Sequence, residues 1–226
     1  LKYETKMGLT HIDSTKINFN KSIKIECNES GTSARLLLGL FAGKNIHSTL
    51  KGSNSLLKRP MKRVIEPLEQ FGAKIESNNN QLPLIINKSN HLEPYNYCLK
   101  IASAQVKASL ILYAMQINGK SILRGEINTR DHLERLLLHV NYPIKIHKNK
   151  IEIEGNAIIE KKLKIKIPGD ISSAAFLICA SILKADSSII IKDVCINKYR
   201  TGFIDAAIKM GGNISITNKR NSFGDE

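Results

Sequence analysis

Ile101-Ala-Ser-Ala-Gln-Val-Lys-Ala-Ser-Leu-Ile-Leu-Tyr113 is the stretch on which the reading of this chain turns. It reads as a strand end, then Ser103 as an N-cap, then a helix over 103–116 with small residues in its first turn and apolar ones later. Such an opening leaves backbone N–H groups uncovered beside a serine hydroxyl and the Gln105 amide, a neutral polar cradle for an anion or a hydroxylated ligand. Two openings of the same type occur at Glu29-Ser-Gly-Thr-Ser-Ala-Arg35 and Asp170-Ile-Ser-Ser-Ala-Ala-Phe176.

These openings recur in register with a second landmark. Ser30 to Ser103 is 73 residues and Ser103 to Ser172 is 69. The helix endings Phe71-Gly-Ala-Lys-Ile75, Tyr142-Pro-Ile-Lys-Ile146 (Pro in place of Gly) and Met210-Gly-Gly-Asn-Ile214 put 71 residues between Ile75 and Ile146 and 68 between Ile146 and Ile214. Two landmarks with one period define an internal repeat of about seventy residues, too long for a solenoid unit. Each repeat predicts a Ser-started helix (30–42, 103–116, 172–183), a strand (46–51, 121–124, 188–193), an amphipathic helix (61–71, 131–140, 201–210) and a hairpin such as 144–147 with 150–154, turning at Lys148-Asn-Lys. The expected fold class is α/β, built of βαβαββ units that stack to bury their helices. Residues 1–12 read as a helix tail, then Met7-Gly-Leu-Thr-His-Ile12 turning into a strand. The polar stretch 155–163 marks the expected crossing between a first globular domain, 1–160, and the start of a second, 161–226.

A length of 226 residues suffices for a sizeable core. No run of eighteen apolar residues occurs, so no transmembrane helix is expected, and Leu1-Lys-Tyr-Glu does not begin a signal peptide. The chain reads as cut at both ends, and a cytoplasmic location is expected. Cys27, Cys98, Cys179 and Cys195 are dispersed without a CxxC pair and read as reduced thiols. The histidines are equally scattered, so neither a metal nor another cofactor is expected.

The net charge of +14 attracts anions without naming them. Lysine abundance reads as compositional bias, which makes the arginines more informative. Arg35, Arg59, Arg63, Arg130, Arg135 and Arg200 all lie at or near predicted helix starts, where a guanidinium grips phosphate or carboxylate in two-pronged fashion. Arg59 precedes Pro60, expected at the first helical position. Thr129 is expected as the N-cap of the 131–140 helix. Lys107 is either ligand-facing or a snorkelling surface lysine. From residues alone, the ligand is a small, polar, phosphorylated molecule, and the reaction is not specified.

Taken together, Ser30-Gly-Thr-Ser-Ala-Arg-Leu-Leu37, Arg59-Pro-Met-Lys-Arg-Val-Ile-Glu-Pro-Leu68, Ser103-Ala-Gln-Val-Lys-Ala-Ser109, Arg130-Asp-His-Leu-Glu-Arg-Leu136, Pro168-Gly-Asp-Ile-Ser-Ser-Ala-Ala-Phe176 and Arg200-Thr-Gly202 resemble the EPSP synthase family, 3-phosphoshikimate 1-carboxyvinyltransferases. The resemblance runs along essentially the whole chain. It implies an enolpyruvyl transferase-like two-domain fold of six βαβαββ units, incomplete here. It also implies transfer of the enolpyruvyl group of phosphoenolpyruvate to the 5-hydroxyl of shikimate 3-phosphate, in aromatic amino-acid biosynthesis, by a monomer needing no metal or cofactor. By matching position, Ser103, Ala104, Gln105, Thr129 and Arg130 would bind shikimate 3-phosphate, and Gly31, Arg59 and Gln105 phosphoenolpyruvate. Glu29 departs from the Asn common in the family, and Thr129 from Ser. The family's catalytic Lys, Asp and Glu have no counterpart among these residues, so the chain reads as a fragment covering roughly half the family chain and inactive alone.

Two alternatives make different demands. UDP-N-acetylglucosamine enolpyruvyl transferases use a loop cysteine flanked by arginine, and none of the four cysteines is so placed. A basic nucleic-acid-binding protein would carry aromatics among its arginines, yet there is no Trp, and the arginine motifs lack neighbouring Tyr or Phe. No nucleic-acid or membrane partner is therefore expected.

Overall fold

A computed structural model describes residues 2–6, 9–13, 22–159, 161, 163 and 165–220. It begins with a hairpin, β1 (Lys2–Lys6) against β2 (Leu9–Asp13), with Thr5 and Thr10 hydrogen-bonded across it at 3.1 Å. This overturns the helix tail expected at 1–6. Tyr3 and Thr5 favour strand, and a facing Thr pair stabilises an antiparallel ladder. Met7 and Gly8, where the helix was expected to end, lie outside the described residues, and the strand expected after them is β2.

Two successive repeats then follow one plan. The first runs β3 (Ile23–Glu26), α1 (Gly31–Gly43), β4 (Ser48–Lys51), a short α2 (Asn54–Leu57), α3 (Lys62–Gln70), β5 (Lys74–Asn78) and β6 (Gln81–Asn87). The second runs β7 (Asn96–Leu99), α4 (Ala104–Ala114), β8 (Lys120–Gly125), α5 (His132–His139), β9 (Ile144–His147) and β10 (Lys150–Glu154). Their sheets are ordered β3-β4-β6-β5 and β7-β8-β10-β9, with the first pair parallel and the others antiparallel in each. The parallel pair requires a helical crossover, supplied by α1 or α4, and the antiparallel pairs close through hairpins. Both repeats are thus βαβαββ units, as the periodicity predicts. The second amphipathic helix in each ends on a left-handed residue, Gly72 after α3 and Asn141 after α5. Pro143 therefore does not replace the glycine; Asn141 does, using the tolerance of Asn for that conformation.

By compactness the chain forms two units: residues 1–95 with 105–119, and residues 96–104 with 120–226. In the first, α1 and α4 approach backbone to backbone. A Cβ on Gly39 would stand 2.1 Å from the Ser109 carbonyl oxygen, and one on Gly43 2.6 Å from that of Tyr113. Leu38, Leu50, Leu56, Met61, Ile65, Leu68, Leu84, Ile86, Leu110, Ile111 and Tyr113 are fully buried in this unit. Lys107 is among the most buried side chains at 1% exposure, which removes the surface-lysine reading.

In the second unit the third repeat contributes α6 (Ile171–Leu183) and α7 (Gly202–Lys209), joined by a small cluster of Ile171, Ala174 and Ile204. The strand expected at 188–193 is absent; among the described residues only an isolated bridge, Gly169 to Val194, forms there. A strand exists only with a ladder partner, whatever its β-propensity. Phe176 (80% exposed), Leu183 (86%) and Met210 (88%) leave much of the α6–α7 surface apolar and uncovered.

Candidate functional site

The two parallel strands β3 and β4 end side by side, and the turns that follow them are stitched together. The Cys27 N–H donates to the Lys51 carbonyl (2.9 Å) and the Ser53 N–H to the Asn28 carbonyl (2.8 Å). Asn28 accepts a positive φ of 47° to turn the chain into α1. Ser30 is the N-cap there, its hydroxyl accepting from the Ser33 N–H at 3.1 Å. On the other side, the Met61 N–H donates to the Asn80 carbonyl (2.8 Å) and Gln81 Nε2 to that of Lys58 (3.2 Å), fixing the 58–61 turn and with it Arg59. Met61 is the N-cap of α3, so Pro60 stands just outside the helix rather than at its first position.

On this scaffold three predicted residues, Gly31, Arg59 and Gln105, come together. Gly31, the first residue of α1, is glycine for reasons of space. A Cβ there would lie 2.7 Å from Arg35 Nη1 and 3.4 Å from Arg59 Nη1. Arg35 is the hub, a residue whose role the motif reading did not single out. Its Nη1 donates to the Gly31 carbonyl (3.2 Å) and to Gln105 Oε1 (2.9 Å), and its Nη2 to the Pro60 carbonyl (3.1 Å). Gln105 Nε2 in turn donates to Thr32 Oγ1 at 2.7 Å. The spacing of Gly31 and Arg35, one helical turn, was the available sequence signal.

Burial, together with the neighbouring charges of Arg59 and Arg63, draws the Arg35 guanidinium below its ordinary value. Three like charges gathered at a helix start carry a field that a bound anion relieves, and the uncovered N–H groups of the helix add to it. Among the described residues, Arg59 pairs with no carboxylate, and its guanidinium is exposed. Glu29 turns instead toward α2, accepting a long hydrogen bond from Ser55 Oγ (3.4 Å).

The other predicted residues belong to the second unit. Ser103 and Ala104 are half-buried where β7 leads into α4, which starts at Ala104, directly after Ser103, and ends at Ala114, two residues short of the expected end. Thr129 and Arg130 lie in the loop after β8, half-buried and exposed respectively. That loop turns at Gly125 (φ 87°), where a Cβ would be 2.5 Å from the Leu99 carbonyl. Thr129 is not the N-cap of α5; Asp131 occupies that position. Asp131 Oδ1 accepts from Asn197 Nδ2 (2.8 Å) and Oδ2 faces Arg135 Nε (2.9 Å). Burial works against the charged form, but the Asn197 and Arg135 contacts outweigh it and hold the carboxyl below its usual range. At the start of α6, Asp170 caps the Ser172 N–H (3.3 Å), accepts from Ser173 Oγ (3.2 Å) and pairs with Arg200, whose Nη2 also donates to Ser172 Oγ (2.8 Å).

The geometry can therefore hold anionic groups at α1 and present hydroxyl, amide and guanidinium groups at β-strand ends. Comparison with known proteins places the chain in a family. The sequence model described as EPSP synthase (3-phosphoshikimate 1-carboxyvinyltransferase) matches residues 2–225. The 3-phosphoshikimate 1-carboxyvinyltransferase of Clostridium tetani is 41% identical over 209 residues, 92% of this chain and 47% of that protein. That of Legionella pneumophila (strain Lens) is 42% identical over 202 residues, 89% and 46% of the respective chains. The solved structure of EPSP synthase from Acinetobacter baumannii superposes with a TM-score of 0.74 at 34% identity, over 88% of this chain and 45% of that one. The chain thus spans about half the length of the relatives it matches. On this evidence it belongs to the EPSP synthase family.

Proposed function

We propose that this chain supplies one part of an active site that transfers the enolpyruvyl group of phosphoenolpyruvate to the 5-hydroxyl of shikimate 3-phosphate, giving EPSP and phosphate. The observation that carries the reading is the group Gly31, Arg35, Arg59 and Gln105, in which glycine makes room for guanidinium groups over a helix start. Phosphoenolpyruvate brings a carboxylate and a phosphate. Arg59 and the Gly31 end of α1 bind these anions, and Arg35 holds Gln105 in place beside them. Ser103, Ala104 and Gln105 hold shikimate 3-phosphate through hydroxyl and amide groups, and Thr129 with Arg130 hold it from a second turn. In the reaction the 5-hydroxyl oxygen adds to the enol carbon as the methylene carbon takes up a proton, and phosphate then leaves the enol carbon as the methyl gives up a proton, restoring the double bond. Fixed cationic and N–H groups stabilise the charge on that departing phosphate.

On this reading residues 1–160 belong to a first globular domain and 161–226 to a second. The chain alone is inactive, and the full-length protein works as a cytoplasmic monomer. No helix among the described residues is long and apolar enough to cross a membrane.

The test is a thermal melt of the 226-residue chain with shikimate 3-phosphate, and in parallel with duplex DNA. Ligand at a hundred times its dissociation constant stabilises by about 2.7 kcal/mol, or several degrees for a domain of this size. A rise with shikimate 3-phosphate that Arg130→Ala abolishes is expected. A rise with DNA alone overturns the proposal.

A further inference from the structure

Asp131 holds an N-cap position without capping its helix: its carboxylate makes no hydrogen bond to the first N–H groups of α5. A capping Asp is normally worth about 1 kcal/mol, so a diverted one implies another use. Both oxygens are directed elsewhere, Oδ1 to Asn197 Nδ2 at 2.8 Å and Oδ2 to Arg135 Nε at 2.9 Å. The Asn197 contact spans 66 residues and joins the loop of one repeat to that of the next. Asn197 is only 2% exposed, and its carboxamide is engaged at both ends, since Oδ1 accepts from the Tyr199 N–H at 2.9 Å. Its backbone carbonyl accepts from the Arg200 N–H at 2.7 Å, so the turn that Asn197 organises also carries Arg200, the partner of Asp170 at the start of α6. Buried amides fixed at both ends have one orientation, and they transmit position instead of absorbing it.

Asp131 directly follows Thr129 and Arg130, the turn assigned above to shikimate 3-phosphate. We propose that Asn197 is a positioning residue for that turn: through Asp131 it holds Thr129 and Arg130 in binding geometry and couples them to the turn bearing Arg200. The assignment rests on the proposed function. It adds a residue that touches no substrate and comes from the following repeat. A buried link with two discrete ends, one beside a ligand and one at the next repeat, is the physical means by which occupancy of the first biases the second.

The test uses calorimetric titration of the 226-residue chain with shikimate 3-phosphate, well below the melting temperature. Asn197→Asp, nearly isosteric, sets two carboxylates face to face and should weaken binding at least tenfold. The double variant Asp131→Asn with Asn197→Asp restores a donor facing an acceptor and should recover affinity to within about threefold of the parent, a rescue that general destabilisation would not give. If Asn197→Asp does not fold, Asn197→Ser removes the contact with less cost and is read in the same way. Unchanged affinity in a folded single variant overturns the coupling. So does a double variant left at the single-variant level, because the loss then belongs to other contacts of Asn197. No binding by the parent chain overturns the proposed function and this inference together; binding by the parent with no effect of the variants overturns this inference alone.

Discussion

Replacing Gly39 by Ala tests whether the close approach of α1 and α4 organises the first unit. The added Cβ would sit 2.1 Å from the Ser109 carbonyl oxygen, 2.5 Å from its Oγ and 2.7 Å from its carbonyl carbon. These are mostly backbone atoms of a neighbouring helix and cannot rotate away. An unstrained contact needs about 3.5 Å, so the helices must part by roughly 1.4 Å. Parting them loosens Leu38, Leu110, Ile111 and Tyr113, all fully buried, and strains the 2.7 Å bond from Ser109 Oγ to the Arg35 carbonyl. Overpacking typically costs about 1–3 kcal/mol, and sometimes more. Alanine recovers about 1 kcal/mol of helix propensity over glycine. With a backbone clash this deep, and packing lost along both helices, we expect a net loss of about 2–4 kcal/mol. For a chain of this size that lowers the melting temperature by about 4–16 °C. Gly202→Ala is the control, because no atom lies within 4 Å of a Cβ there; it should melt within about 2 °C of the parent. If Gly39→Ala melts at or above the parent temperature in the same calorimetric scan, the helices do not meet as described, and the placement of Gln105 beside Arg35 falls with them.

Other outcomes follow from the site and its surroundings. Gly31→Ala should lower the melting temperature by a few degrees, because its Cβ displaces Arg35 Nη1 from both the Gly31 carbonyl and Gln105 Oε1. On the proposed function, loosening Gln105 in this way predicts at least tenfold weaker phosphoenolpyruvate binding to the chain saturated with shikimate 3-phosphate, read by calorimetry. Because the folded-state pKa of Asp131 is depressed, its stabilisation is complete above the unfolded carboxylate range near ~3.9 and fades as pH falls through the lower folded value. Melts of the parent should therefore lose stability faster between pH 5 and pH 2 than those of Asp131→Asn, and parallel curves would refute this. Phe176→Ser with Leu183→Ser should barely change the melting temperature, since both side chains are exposed, while reducing binding of a hydrophobic dye. A large fall in stability would mean that these side chains are packed.

Much of the architecture was legible because it rests on local chemistry repeated three times. Ser30 and the Gly72 and Gly211 endings carry local capping physics, and the βαβαββ order follows from their spacing. What failed depended on partners. Ile189 and Ile190 have strand propensity, but no ladder forms for them among the described residues, and Ile190 is 82% exposed. Asn141 substitutes for glycine through a tolerance that a search for Gly or Pro misses. Thr129 reads as an N-cap in isolation, yet Asp131 holds that position and turns its side chain to Asn197 instead of the helix. In the site, Gly31, Arg59 and Gln105 were readable from motif and resemblance. Arg35 showed only as one arginine among several, since two of its three acceptors, on Gln105 and Pro60, come from distant segments.

The assignment of α4 to the unit of the preceding repeat has a bearing on synthesis. β7 and β8 pair with each other, but the helix between them (all but Ala104), with the residues after it as far as Gly119, belongs with residues 1–95. As the polypeptide emerges from the ribosome, the first sheet and α1 therefore cannot complete their core when their own repeat ends. Gly39 and Gly43 wait for a helix translated later, and only its arrival brings Gln105 to Arg35. A nascent chain halted between residues 95 and 105 would hold its first half unfinished, a natural client for a chaperone.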